Sequence, residues 1–173
     1  GLGKDTVVNF VDSTGPAGAI DKLDFTSYLT GKESSSGSVV SQTTIPVTLN
    51  ADAEVNANEV TVLLGTFDAT DTFAGFTAAK FLSAINTATA YAGITDATLQ
   101  ADNSVAANDL VGGIGKGVVL VENNLNRGEY AVFELTFNGA AAAAETDFTA
   151  AQLIGVVDFG NTLTLDAAQL IGS

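Results

Sequence analysis

The most informative stretch of this chain is 117–133, which reads GVVLVENNLNRGEYAVF. Its two apolar parts carry hydrophobic residues at successive positions, a pattern typical of central strands that are covered on both faces. The polar segment 122–129 between them is rich in asparagine and contains a glycine, which are residues that tight turns use. The stretch therefore predicts a β-hairpin in the middle of a sheet.

Other runs rich in β-branched and aromatic residues lie on both sides of this hairpin. Together with it they predict strands over 5–11, 23–25, 45–49, 59–64, 117–121, 130–137, 153–159 and 162–165. A chain of 173 residues has the size of one ordinary domain. We therefore expect a mainly β protein, a single domain over 1–173 that is antiparallel, β-sandwich-like or jelly-roll-like, with one or two short helices.

Three regions depart from the strand pattern. Segment 31–44 is serine-rich and predicts a loop. Segment 76–90 spaces its Phe, Leu and Ile residues as one face of a helix does, and it predicts a helix that crosses the sheet. Residues 86–108 are small and polar, so an irregular excursion, a weak helix and a surface for a neighbouring subunit all stay open.

A short motif occurs three times, at 76–82, 148–154 and 165–171. Each copy has an apolar residue, then Thr or Asp, then Ala-Ala, and ends in an apolar pair. Because Thr and Asp are good helix N-caps, each copy predicts a single helical turn that leads the chain to the next strand. The irregular spacing of the copies disfavours a solenoid of regular repeats.

The composition excludes several kinds of chemistry. The chain has no Cys, His, Met or Trp, so it has no thiol nucleophile, disulfide or imidazole base, and only oxygen ligands are available for metals. Its net charge of −14, from 20 acidic and 6 basic residues, opposes binding to nucleic acid or anionic lipid and attracts cations. No apolar run is long enough to predict a membrane-spanning segment.

The amino terminus carries two motifs in succession. Residues 1–7 read GLGKDTV, with glycines, an aspartate and a β-branched residue at alternating positions, as in one half-turn of a calcium-binding parallel β-roll. Residues 5–10 and 21–29 then read DTVVNF and DKLDFTSYL. This succession resembles RTX proteins at the point where their glycine–aspartate repeats end. The resemblance covers roughly residues 1–30 and implies type I secretion from a bacterium, with folding outside the cell where calcium is plentiful.

Candidate calcium ligands fall into three groups of hard oxygen donors. The first group belongs to the amino-terminal motifs, and the second alternates with Ala and Val in 50–58, so that an extended backbone would project it to one side. The third precedes the predicted helix, where an acidic turn with one capping aspartate is the simpler interpretation. The predicted ligands are Asp5, Asp21 and Asp24, then Asn50, Asp52, Glu54 and Asn56, and finally Asp68 and Asp71.

No residue is predicted to be catalytic. Two carboxylates suffice for glycoside hydrolysis, and Glu122, Glu129 and Glu134 lie in or beside the hairpin. Sugar sites usually add aromatic platforms, however, and this chain has no Trp and only 3 Tyr. The glycine-rich segment 112–117 lacks the spacing and the Ser or Thr of a phosphate-binding loop, so it predicts a turn before a strand.

These observations favour a non-enzymatic structural protein, extracellular or on a bacterial cell surface. We expect copies of the chain to assemble, aided by calcium, into a surface layer, matrix or fibre, with terminal strands exchanged between subunits. The alternative is a carboxyl-terminal folding and secretion module of a larger RTX exoprotein, with upstream RTX repeats as its partner. A carbohydrate-binding module is a third class, but no cluster of exposed aromatic residues supports it.

Overall fold

The computed structural model describes residues 4–7, 10, 21–25, 42–43, 53–55, 60–87, 89–95, 99–101, 114–138, 148–160, 165 and 170–171. The elements in chain order are strands β1 (Lys4–Thr6), β2 (Leu23–Asp24), β3 (Gln42–Thr43), β4 (Ala53–Val55) and β5 (Val60–Gly65), a 3₁₀ helix (Phe73–Gly75), helix α1 (Ala78–Ile85), and strands β6 (Leu99–Ala101), β7 (Ile114–Asn123), β8 (Glu129–Asn138), β9 (Phe148–Asp158) and β10 (Leu170–Ile171). The mainly β fold class is therefore confirmed.

The largest sheet has six strands in the order β1–β9–β8–β7–β5–β3. Within it, β8 runs antiparallel to both of its neighbours, and the other neighbouring strands are parallel to each other. Two small parallel pairs, β2 with β10 and β4 with β6, complete the described strands. The sheet is thus mixed rather than purely antiparallel, because the chain leaves at the end of β5, passes through α1 and re-enters as β7 in the same direction.

Successive side chains of the central strands point to opposite faces of the sheet, and both faces are apolar. The first, which we call the helix face, carries Val119 and Val121 of β7 together with buried residues of α1. The second, which we call the terminal face, carries Val118 and Leu120. Phe10, Leu23, Phe25 and Leu165, from segments near the two ends of the chain, cover the terminal face. Because both faces are covered, the centre of β7 is apolar at every position.

Helix α1 forms where the first copy of the Ala-Ala motif predicts it. Thr77 is its N-cap, and the Thr77 hydroxyl accepts a hydrogen bond from the Lys80 N–H at 3.3 Å. The helix buries Phe81 and Ile85 against the helix face, where the Phe81 ring centroid lies 4.5 Å from that of Phe133. The predicted helix is confirmed, and it ends at Ile85 rather than at residue 90.

The second copy of the motif is not helical. Residues 148–154 belong to β9, and the hydroxyl of Thr149 donates to the Thr136 carbonyl of β8 at 3.1 Å instead of capping a helix. The prediction of a helical turn there was wrong because β9 occupies the position beside β8, and pairing in a sheet overrides local propensity. Most of the third copy lies outside the described residues.

The predicted β-hairpin is confirmed, since β7 and β8 pair antiparallel from Ile114 opposite Asn138 to Glu122 opposite Tyr130. Strands β1, β2, β5 and β9 fall on four other predicted runs. The run at 45–49 lies outside the described residues, as does 162–165 except Leu165, which is not in a strand. Short strands β3 and β6 lie inside 31–44 and 86–108. The sandwich or jelly-roll architecture stays a prediction.

Candidate functional site

The candidate site lies at the end of the sheet where the β7–β8 hairpin turns. We call residues 122–130 the hairpin end. Because β5, β7, β9 and β1 run in one direction, their carboxyl ends meet here beside the start of β8. The Phe159 N–H donates to the Gly128 carbonyl at 3.0 Å, and the Val7 N–H donates to the Asp158 carbonyl at 2.8 Å. The ends of these strands are therefore connected by hydrogen bonds, and they form a rigid scaffold that holds the side chains of the loops.

The turn itself is fixed by backbone and side-chain hydrogen bonds. The Asn126 N–H donates to the Asn123 carbonyl at 3.2 Å, and the Glu129 N–H donates to the Asn126 carbonyl at 3.1 Å. Gly128 has a positive φ of 86°, which explains the glycine at that position. The Asn123 side-chain oxygen also accepts from the Leu125 N–H at 3.0 Å. The asparagines predicted as turn formers thus hold specific backbone groups.

A buried carboxylate, Glu122, anchors the turn on the terminal face. Only 2 % of Glu122 is exposed. Its Oε1 accepts from the Arg127 Nε at 2.7 Å and from the Gly128 N–H at 3.3 Å. A carboxylate without partners at this depth would be strongly destabilising. The ion pair with Arg127 therefore holds the loop against the end of the sheet.

Tyr130 lies directly opposite Glu122 in the hairpin register and is fully buried. Its hydroxyl accepts from the Leu165 N–H at 3.0 Å and forms a hydrogen bond with the Glu122 side chain. Burial raises the pKa of Tyr130 well above its ordinary value, and the negative charge of Glu122 adds to the rise, whereas the Leu165 N–H and Arg127 oppose it. Tyr130 therefore stays neutral and joins the carboxyl-terminal segment to the hairpin end.

A second buried carboxylate, Glu129, lies on the opposite, helix face. Its Oε2 accepts from the side-chain amide of Asn123 at 2.7 Å and from that of Asn126 at 3.3 Å. A cavity of about 260 Å³ adjoins it. The cavity is lined by Phe73, Ala74, Phe76, Glu129, Ala131, Leu153 and Val156. Its wall is therefore apolar apart from a carboxylate.

Two further asparagines bind distant backbone through both atoms of the amide group. The Asn124 side chain accepts from the Phe67 N–H at 2.6 Å and donates to the Phe67 carbonyl at 3.2 Å. The Asn86 side chain likewise accepts from the Phe148 N–H at 2.9 Å and donates to the Phe148 carbonyl at 2.7 Å. Asn124 thus joins the hairpin end to the loop after β5, and Asn86 joins the end of α1 to the start of β9.

The structure describes six of the nine predicted calcium ligands. Asp5, Asp21 and Asp24 are exposed, Glu54 lies on β4, and Asn50, Asp52 and Asn56 lie outside the described residues. In the described part of the chain, no group of three or more carboxylates lies close enough together to hold a metal ion. The calcium ligands stay a prediction.

Asp68 and Asp71 form the acidic turn that the sequence suggested as the simpler interpretation. The Asp68 Oδ1 accepts from the Asp71 N–H at 2.8 Å and from the Thr70 N–H at 2.6 Å, and these two bonds lower the pKa of Asp68. The Asp71 Oδ2 accepts from the Ala92 N–H at 2.9 Å. The cap of the 3₁₀ helix is Thr72 rather than either aspartate.

No two of the three hairpin glutamates face each other across a common site. Glu122 shares the terminal face with its register partner Tyr130, and Glu129 lies on the helix face beside Ala131. Glu134 forms an ion pair with Lys116 towards the other end of the hairpin. Each carboxylate therefore holds part of the hairpin.

Sequence reasoning missed the roles of Asn86, Asn124 and Tyr130. The partners of the two asparagines lie 62 and 57 positions away along the chain, and the partner of Tyr130 lies 35 positions away. A local pattern identifies asparagine only as a turn or cap residue. The nearest signal was the asparagine-rich run in 122–129, which predicted the turn but not its contacts.

Comparisons of the chain with protein-family models, with curated proteins and with solved structures gave no match. The described fold is a mixed, mainly β sheet with α1 on one face and segments from both ends of the chain on the other. Across the described ranges, no helix combines the length and the apolar character needed to cross a membrane.

Proposed function

We propose that this chain is a non-enzymatic extracellular structural protein whose copies assemble into a surface layer, matrix or fibre with the help of calcium. The observation that carries the proposal is the edge of β9. This strand has eleven residues, and β1 pairs with the last three of them, Val156 to Asp158. Among the described residues, nothing pairs with the same edge over 148–155.

The open part of this edge is suited to a further strand. Residues 148–155 read FTAAQLIG and contain neither a charge nor a proline, which are the features that usually protect an edge strand from pairing. Thr149, Ala150 and Gln152 are exposed. The pairing of β9 with β8 shifts register twice, between Val132 and Phe133 and between Thr136 and Phe137, and such irregularities bend a strand locally. A strand of a second copy could therefore pair with this edge over 148–155, in line with β1.

The charge of the chain supports a role for calcium in such an assembly. Copies that each carry a net charge of −14 repel one another. Asp5 on the edge strand β1 and Asp24 on β2 are exposed carboxylates, and calcium prefers carboxylate oxygens. Calcium would reduce the repulsion between neighbouring copies at these positions.

A non-enzymatic function is supported by the interactions that fix the side chains of Glu122, Glu129 and Glu134. Each of the three carboxylates is engaged by neighbours within the hairpin. A general acid or nucleophile has to reach a substrate, whereas Glu122 is buried beneath the turn.

The alternative function, a folding and secretion module of a larger RTX exoprotein, is favoured by the direction of β1. This amino-terminal strand pairs in parallel with β9 at the edge of the sheet. A parallel roll upstream of β1 could continue from that edge. The alternative predicts a monomer that becomes more compact in calcium and does not assemble.

Sedimentation velocity of the purified chain, in calcium and in chelator, tests the proposal. We expect large species in calcium, and we expect the edge variant Ala150→Lys to prevent their formation, since a charge at an edge opposes pairing. Thr89→Lys is the matched control because Thr89 is also exposed but lies outside the strands. Deletion of 1–11 or of 162–173 tests strand exchange. A size distribution in calcium that neither deletion changes would contradict that exchange, and a monomer under all conditions would contradict assembly.

A further inference from the structure

Leu125, at the tip of the hairpin, is a large apolar side chain that the structure leaves 67 % exposed. Its neighbours are held in place. The Asn123 side chain accepts from the Leu125 N–H, Asn124 binds the backbone of the loop after β5, and Asn126 and Arg127 bind glutamates of the hairpin. The tip therefore presents Leu125 in one position, and a contact made by it would cost little further ordering of the chain.

The cavity on the helix face is a site that such a side chain fits. It has a volume of about 260 Å³ and an apolar wall to which the 3₁₀ helix, β8 and β9 contribute. It is therefore large enough for a leucine side chain, and it adjoins β9, whose edge over 148–155 has no partner strand among the described residues. Filling it with an apolar group would remove both surfaces from water.

We propose that Leu125 of one copy of this chain enters the cavity of a second copy, an inference that rests on the proposed self-assembly. Charge favours this occupant. Glu129 is the carboxylate in the cavity wall, and Arg127 lies two residues from Leu125, with 40 % of its side chain exposed. In a chain with only 6 basic residues, the tip that carries Leu125 also carries a guanidinium group that pairs with Glu122 through its Nε and stays partly exposed, so that it can also face the carboxylate of a partner's cavity wall.

Each copy has one such tip and one such cavity among its described residues. If the two contacts are reciprocal, they give a closed pair with two-fold symmetry; if they are not, they give an open array of the kind that a layer or fibre needs. The contact therefore complements pairing at the β9 edge rather than replacing it.

The experiment measures self-association of wild type and variants by sedimentation velocity over a range of concentrations, in calcium and in chelator. Leu125→Asp places a charge on the tip, and Ala74→Phe fills the cavity from its exposed rim. We expect each to weaken association by about tenfold or more, which corresponds to about 1.4 kcal/mol. Leu125→Met should retain association, because it keeps an apolar side chain.

Ala79→Asp is the control for added charge, since Ala79 is exposed on the first turn of α1, where an acidic residue is tolerated. Circular dichroism and urea unfolding show whether each variant is folded. Association of Leu125→Asp equal to that of Ala79→Asp would overturn the contact while leaving self-assembly intact. Loss of association in Leu125→Asp but not in Ala74→Phe would also overturn it, because the tip would then bind elsewhere. A wild-type chain that never associates would overturn both proposals. Association that depends on Leu125 but not on calcium would support the contact and contradict the proposed role of calcium.

Discussion

Replacing Tyr130 with Phe removes one buried hydroxyl and keeps the ring, so Y130F measures how much the hairpin end depends on a single oxygen. The hydroxyl accepts from the Leu165 N–H at 3.0 Å and forms a hydrogen bond with the side chain of Glu122. Its removal leaves a buried N–H without an acceptor, which costs about 1–3 kcal/mol. Glu122 loses one partner but keeps Arg127 and Gly128, which adds about 1 kcal/mol. We expect the free energy of unfolding to fall by about 2–4 kcal/mol.

Urea unfolding followed by far-ultraviolet circular dichroism measures this change. With a denaturant slope of roughly 2 kcal/mol per molar urea, the midpoint should fall by about 1–2 M while the slope stays the same. Y91F is the matched control, because the Tyr91 hydroxyl donates to the Thr72 carbonyl at 2.9 Å in a half-exposed position where water can replace it. A loss in Y130F no larger than the loss in Y91F, at equal slopes, would refute the reasoning.

Because the pKa of Tyr130 is raised, its contribution to stability is fully present below pH about 10. That contribution is lost as the pH rises further, by about 1.4 kcal/mol per pH unit. Tyrosinate absorbance should show Tyr130 ionising only as the chain unfolds, and this absorbance change should be absent from Y130F. Thr61 is fully buried, and within the described structure its hydroxyl has no hydrogen-bond partner, so Thr61→Val should raise the free energy of unfolding by about 1 kcal/mol, whereas Thr61→Ser should not. Asn86→Ala removes both bonds to the β9 backbone and should lower the unfolding free energy by about 1–2 kcal/mol, with faster hydrogen exchange at the start of β9. Gly115→Ala would place a methyl group 2.5 Å from the Phe137 ring and should cost about 1–3 kcal/mol, measured by the same urea assay.

The sequence predicted the elements whose signal is local. The hairpin over 117–133 has apolar runs and turn residues in immediate succession, and the helix after Thr77 has a cap followed by apolar residues at helical spacing. The copy of the same motif at 148–154 became a strand because its environment, not its composition, decides its structure. The direction of the strands was missed for a similar reason. Strand β5 and helix α1 are followed, after the short strand β6, by β7, and a helix between two strands of one sheet is typical of a parallel pair.

The candidate site was predictable only in outline. The run at 122–129 indicated a turn, and its glutamates were recognised as polar groups beside buried strands. Which face each glutamate occupies follows from the hairpin register, in which Glu122 lies opposite Tyr130, and the register is not visible in composition. The backbone partners Phe67, Phe148 and Leu165 are distant in sequence. Such contacts depend on the completed fold, so no local pattern identifies them.

The two faces of the hairpin end have separate functions because successive residues of a strand point to opposite faces. Glu122 and Tyr130, on the terminal face, join the turn to the carboxyl-terminal segment. On the helix face, Asn123 connects Glu129 in the cavity wall to the Leu125 backbone at the tip. Y130F should therefore lower the stability of the chain and leave the position of Leu125 unchanged. Stability and the proposed self-association can then be perturbed independently at one end of the same hairpin, so that reduced assembly in a Leu125 variant need not reflect a weakened fold.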